Sequence, residues 1–156
     1  MIRVQAEDFD PGAEIARFSA GNGRVGGVCM FLGLVRDFMG DGAGVSGMTL
    51  EHYPGMTEKQ LAAIEDEARR RWPLEDALII HRYGRLEAGD RIVLVAAASA
   101  HRQAAFEACH FLIDWLKTRA PFWKVEHAAD GDHWVAAKDS DDAQAARWEA
   151  GTPPVA

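Results

Sequence analysis

The chain has 156 residues, 48% hydrophobic and 26% charged, with a formal net charge of -7. That length suits one domain with its own core, and a pI of about 5.3 argues against a nucleic-acid binder, which is ordinarily basic. No apolar run approaches the ~20 residues that cross a bilayer, and the N-terminal segment, mixed and soon acidic, does not read as a signal peptide, so the expected location is the cytoplasm.

In chain order, residues 3–6 alternate and read as a short strand. Asp10 followed by Pro11 reads as an N-cap and first helical position, opening a helix through Phe18. Residues 25–35 are apolar and partly β-branched, a buried strand. Residues 37–47 contain Gly40, Gly42, Gly44 and Gly47 and read as a surface loop. Residues 48–53 form another strand. Thr57 with Gln60 reads as a capping box, starting a helix whose inner face carries Leu61, Ile64, Ala68 and Trp72 and which Pro73 stops. Strands over 77–83 and 92–99 are joined through turn signals at Gly84 and Gly89-Asp90. A helix over 102–117 turns Ala105, Cys109, Leu112 and Leu116 inward, and Pro121 marks its exit. Residues 122–127 and 133–135 pair as a hairpin, and a helix over 142–148 ends the fold. Helices and strands mix without strict βαβ alternation, which makes the class α+β. A single domain over 1–150 and a disordered tail over 151–156 are expected.

Lys117, Arg119 and Lys124 bracket Pro121, Phe122 and Trp123 with no acid between them. A positive cleft on a negative body focuses small anions. Lys117 and Arg119 also suit a helix C-terminus, and Lys124, alternating with Trp123 and Val125, faces either solvent or a cleft. Should the two lysines converge, their ammonium groups disfavour each other's charge, the condition under which a lysine acts as acid, base or nucleophile. His101 and Arg102 stand where a strand hands over to a helix, beside unpaired N–H groups that bind anions; a cap by Ser99 with solvated basic residues explains the same pattern. Arg36 ends a buried strand and suits bidentate phosphate binding, or pairs with Asp37. The six histidines lack HxxxH or HExxH spacing, so no metal site is expected. Neither GxSxG nor GxGxxG occurs. Cys29 and Cys109 lack CxxC partners and read as small hydrophobes.

Five blocks in order carry a resemblance: Phe31-Leu32-Gly33-Leu34-Val35-Arg36; Leu50-Glu51-His52-Tyr53-Pro54-Gly55-Met56-Thr57-Glu58; His81-Arg82-Tyr83-Gly84-Arg85-Leu86; Ser99-Ala100-His101-Arg102 with Ala105-Phe106-Glu107-Ala108; and Leu116 through Lys124. Together, over about 26–148, they resemble the large, catalytic subunit of molybdopterin synthase. The resemblance implies an α/β hammerhead fold and a sulfurtransferase that converts cyclic pyranopterin monophosphate (precursor Z) to molybdopterin. Sulfur would arrive as a thiocarboxylate on the C-terminal Gly-Gly tail of a small ubiquitin-like subunit, one at each end of a central homodimer, giving a heterotetramer. It implies no resident cofactor, the pterin being substrate and product.

By position, Lys117 matches the family's principal catalytic lysine and Lys124 its second. Arg36, His101 and Arg102 match the pterin-phosphate pocket, the latter two contributed across the dimer, and Glu126 is a further pocket residue. Leu34 stands where many members carry a polar residue, so no ligand contact is assigned there. A groove lined by Phe122 and Trp123 is expected to admit the Gly-Gly tail. The alternative is a module that holds the tail or a phosphorylated ligand without turnover; Lys117 and Lys124 together favour catalysis. An RNA-binding role is disfavoured by net charge and the lack of a stacking platform.

Overall fold

The computed structural model describes residues 1–36, 45–128, 131–135 and 139–149. Along them run β1 (Ile2–Gln5), α1 (Pro11–Ser19), β2 (Gly27–Leu34), β3 (Val45–His52), α2 (Met56–Arg71), β4 (Leu74–Arg82), β5 (Gly84–Glu87), β6 (Arg91–Ser99), α3 (Arg102–Arg119), β7 (Phe122–Ala128), β8 (Gly131–Val135) and α4 (Asp139–Ala146). They build two four-stranded sheets, ordered β1-β4-β6-β2 and β5-β3-β7-β8. Among the described residues, β1 with β4 is the one parallel pairing and the others are antiparallel. The class is α+β, as expected.

The central strands β4 and β6 read as continuous apolar runs because both faces of the first sheet are covered. On one face Ala77, Ile79, Val93, Val95 and Ala97 meet α2 and α3 through Leu61, Ile64, Ala108, Phe111 and Leu112. On the other, Leu78, Ile80, Leu94 and Ala96 pack with Phe9 and the inner side of α1. The second sheet has its own smaller cluster of Val35, Met48, Leu50 and Leu86.

Asp10 caps α1 as expected, accepting from the N–H groups of Gly12 and Ala13 at 2.8 and 3.1 Å. Three expectations need correction. Thr57 does not cap α2. The cap is Gly55 at φ 81°, whose N–H donates to Glu58 at 2.7 Å, a backbone conformation that suits glycine. Thr57 is the second residue of the helix, fully buried, where its hydroxyl accepts from Tyr53 N–H at 3.0 Å and donates to the Pro121 carbonyl at 3.2 Å. The turn signals between β4 and β6 enclose an extra strand, β5, which leaves the first sheet to pair with β3 in the second. Its partner β3 is remote in sequence, so local pattern could not reveal it. Residues 45–47, read as loop, belong to β3; residues 37–44 of that loop and the tail over 151–156 lie outside the described residues. The hairpin of β7 and β8 forms in the expected place, with residues 129–130 outside the described set. α4 starts earlier than expected, and Trp148 lies in the turn after it.

Candidate active site

α3 carries expected site residues at both of its ends. At its N-terminus His101 is the cap, without a side-chain cap bond, and Arg102 is the first helical residue; both are exposed. Ser99 is not the cap. It is fully buried, its hydroxyl donating to the Pro73 carbonyl at 2.9 Å and accepting at 3.4 Å from His101 N–H. The start of β2 runs close beneath this corner, with Gly26 N–H bonded to the Ser99 carbonyl at 3.0 Å. A Cβ on Gly26 would fall 2.2 Å from the Ala100 carbonyl oxygen, so only glycine permits this approach.

At its other end α3 carries Lys117 and Arg119 in its last turn, where the helix dipole favours cations. Arg119 has a structural occupation: its guanidinium lies 3.7 Å over the Trp115 ring and bonds Glu149 at 2.7 Å. Lys117 is exposed. The rise per residue puts His101 about 24 Å along the axis from Lys117. Within one chain the expected residues therefore fall into two groups, not one.

Lys124 lies on β7, opposite Leu50 of β3, and Glu126 opposite Met48. Side chains alternate across a strand, so Phe122, Lys124 and Glu126 share one face of the second sheet with Met48, Leu50 and His52. Lys124 is half-buried and ion-paired with Glu126. Val35 packs into the cluster with Met48, Leu50 and Leu86 on that face, which brings the following residue, the exposed Arg36, to its edge. Trp123 points to the opposite face and is 45% exposed. Phe122 and Trp123, both expected to line the groove for the tail, are adjacent on β7 and so face opposite sides of the second sheet.

A residue given no role in the sequence reading joins these elements. His81, buried near the end of β4, stacks on Phe122 with ring centroids 3.7 Å apart and 18° between planes. His52 lies opposite Phe122 in register and packs on Tyr83 at 4.2 Å. The rings of His81 and Phe122 thus bridge the two sheets beside the end of α3. The Nδ1 of His81 sits 2.8 Å from the Arg82 carbonyl. A carbonyl only accepts, so Nδ1 carries the proton and Nε2 is the acceptor. Burial pushes the imidazole down from its ordinary 6.5 to about 4, with the charges of Lys117 and His52 acting in the same direction. A neutral ring therefore sits within electrostatic reach of Lys117. The available signal was a lone imidazole at the end of the apolar run Ala77-Leu78-Ile79-Ile80.

No helix is long and apolar enough to cross a membrane. Among the described residues, no group of three or more His, Cys, Asp or Glu is placed to hold a metal ion. The arrangement can do two things: hold anions against Lys117, Lys124 and Arg36, and shelter reacting groups against an uncharged aromatic wall.

Residues 4–119 match the sequence model of the family described as MoaE protein. The molybdopterin synthase catalytic subunit of Pseudomonas aeruginosa is 59% identical over 148 residues, covering 95% of this chain and 98% of that protein. The molybdopterin biosynthesis MoaE protein from Burkholderia ambifaria superposes with a TM-score of 0.82 at 51% identity, over 96% of this chain and 97% of that one. A complex of subunits 1 and 2 of the molybdopterin-converting factor from Helicobacter pylori shares the fold, at TM-score 0.71 and 18% identity over 88% of this chain and 90% of that one. Fold and sequence similarity together are those of a transferase of molybdenum-cofactor biosynthesis. Within that class the chain belongs to the MoaE protein family, the catalytic subunits of molybdopterin synthase.

Proposed function

We propose that this chain converts precursor Z to molybdopterin, installing two sulfurs as a dithiolene. The sulfur comes from the C-terminal thiocarboxylate of a small ubiquitin-like subunit. One observation carries the reading: the last turn of α3, which holds Lys117, leads directly into β7, where Phe122 stacks on His81 and Lys124 follows two residues along the same strand face. Two lysines from different elements thus flank one aromatic wall. Cyclic phosphate and thiocarboxylate are both anions. Fixed cations bind both, and stabilise the charge that develops as the cyclic phosphate opens. Lys117 is the principal catalytic residue and Lys124 the second, its ammonium oriented by Glu126. Arg36 binds phosphate oxygens at the edge of the face. The pterin enters as substrate and leaves as product, in the cytoplasm.

His101 and Arg102 cannot reach Lys117 of their own chain across the length of α3. We assign them to the site of a second copy, so that a homodimer carries two composite sites, each receiving one small-subunit tail, within a heterotetramer. The Helicobacter pylori protein, whose structure is of a two-subunit complex, supports a small-subunit partner.

The test is reconstitution with thiocarboxylated small subunit and precursor Z, following dithiolene pterin as its fluorescent oxidation product. Wild type should turn over, and Lys117→Ala should not, while still binding the small subunit. A Lys117→Ala variant that matched wild type would refute the assignment. A wild type that bound the tail without product would leave a binding module. Mixing Lys117→Ala with Arg102→Ala protein should recover about a quarter of wild-type turnover, because half of randomly paired dimers contain one intact composite site. No recovery after verified subunit exchange would refute the shared site.

A further inference from the structure

The two lysines of the proposed site stand on different layers. Lys117 is in the last turn of α3, which packs on the first sheet through Cys109, Phe111 and Leu112. Lys124 is on β7, in the second sheet. Two residues, Ala120 and Pro121, join helix to strand. The position of this joint therefore sets how Lys117 stands relative to Lys124.

A side chain from a third element holds the joint. Thr57, on the first turn of α2, has no exposed surface. Its hydroxyl donates to the Pro121 carbonyl at 3.2 Å and accepts from Tyr53 N–H at 3.0 Å, and its own N–H donates to the Tyr53 carbonyl at 2.9 Å. Tyr53 directly follows β3, the strand that pairs His52 with Phe122 and Leu50 with Lys124. One hydroxyl thus ties the α3–β7 joint to the turn between β3 and α2. Proline has no N–H, so this carbonyl is the one backbone hydrogen-bonding group of Pro121. The joint itself is short and tight: Ala120 N–H bonds the Leu116 carbonyl at 3.3 Å, and Phe122 N–H the Ala120 carbonyl at 2.9 Å. The hydroxyl is not spent on starting its own helix, because Gly55 N–H and Glu58 close that end.

We propose that Thr57 is a positioning residue for the sulfur transfer: its hydroxyl fixes the α3–β7 joint so that Lys117 and Lys124 act on the same anion. The inference rests on the proposed reaction. Thr57 is too deeply buried to touch substrate or tail and works through the two lysines. A misplacement of about 1 Å at a reacting group can cost about 100-fold in rate. The loss falls on kcat, because the surfaces that bind substrate and partner are left in place.

The experiment compares three variants of the full chain in the reconstituted reaction, with rates counted per folded molecule. Thr57→Val keeps the branched shape and removes the hydroxyl; Thr57→Ser keeps the hydroxyl. Phe9→Leu, in the core against α1 on the far face of the first sheet, is the control for lost stability alone. Thr57→Val should lower kcat about tenfold or more, with KM for precursor Z and small-subunit affinity within about twofold of wild type. Thr57→Ser should recover kcat, and Phe9→Leu should lower the melting temperature and leave kcat unchanged. A second readout needs no turnover: amide exchange of Phe122 should quicken about tenfold in Thr57→Val and stay at the wild-type rate in Phe9→Leu. The proposal is overturned if Thr57→Val keeps wild-type kcat, if Thr57→Ser fails to recover it, or if Phe122 exchange is unchanged. A wild type that gives no product refutes the reaction instead, and the Phe122 exchange rates then decide by themselves whether Thr57 holds the joint.

Discussion

His81 makes the sharpest quantitative test of the site's construction. Its ring is buried and neutral, with a folded-state value of about 4 against an ordinary 6.5. Above pH 6.5 neither folded nor unfolded chain protonates it, and it contributes nothing to pH dependence. Between 6.5 and about 4 the unfolded chain takes up a proton that the fold refuses, so stability falls as pH falls. At 1.36 kcal/mol per unit, the whole gap is about 3 kcal/mol. Between pH 7 and pH 5 the loss is about 2 kcal/mol. That interval avoids most of the carboxylate titration: Glu14 and Glu67, held low by their arginine partners, lose their contribution as pH falls below about 4.3. The perturbation is His81→Phe, which keeps a flat ring against Phe122 and removes the titration. The assay is urea unfolding at pH 7 and pH 5, read by tryptophan fluorescence, for both proteins. Wild type should lose about 2 kcal/mol more than His81→Phe over this interval. Equal losses would refute the reasoning, as would an NMR titration of His81 with a midpoint near 6.5.

Asp114 is buried on α3, where its Oδ2 accepts from the Trp148 indole at 2.7 Å and Arg147 at 2.9 Å. Asp114→Ala strands both donors and should cost about 2–4 kcal/mol in urea unfolding, with Asp114→Asn milder because it still accepts from the indole. Thr57→Val should cost about 1–3 kcal/mol by orphaning Tyr53 N–H and the Pro121 carbonyl; Thr57→Ser should stay within about 1 kcal/mol if the bridging hydroxyl is what matters. Gly26→Ala should lower the melting temperature and depress turnover together, because its Cβ would collide with the Ala100 carbonyl just before His101; unchanged values would show that β2 can shift freely there. Glu126→Gln should lower kcat while the small subunit still binds, since it removes the charge paired with Lys124; loss of binding alone would move Glu126 from orienting a lysine to holding the partner.

Most helices and strands were legible from the sequence because their causes are local. Asp10-Pro11 starts α1, and the apolar spacing of Leu61, Ile64 and Ala68 orients α2. The inward set of α3, from Ala105 to Leu116, follows the same 3.6-residue period. The cationic stretch around Pro121 was visible as composition. What the chain order concealed was partnership. β5 looked like part of a turn because its partner β3 lies more than thirty residues upstream. Thr57 looked like a cap because its second partner, the Pro121 carbonyl, is 64 residues away. Ser99 looked like a cap for the same reason, its hydroxyl being committed to Pro73.

The site divides along that line. The sequence by itself determined which residues could meet anions, since charge and side-chain chemistry travel with the residue. Only the tertiary structure decided which of them meet. The rigid length of α3 separates His101 and Arg102 from Lys117, because a helix fixes about 1.5 Å per residue. Strand alternation turns Lys124 toward Glu126 and sends Trp123 to the other side. The closing of two sheets on each other puts a buried, neutral His81 between them, an ionisation state that burial sets and that no residue carries in its own chemistry.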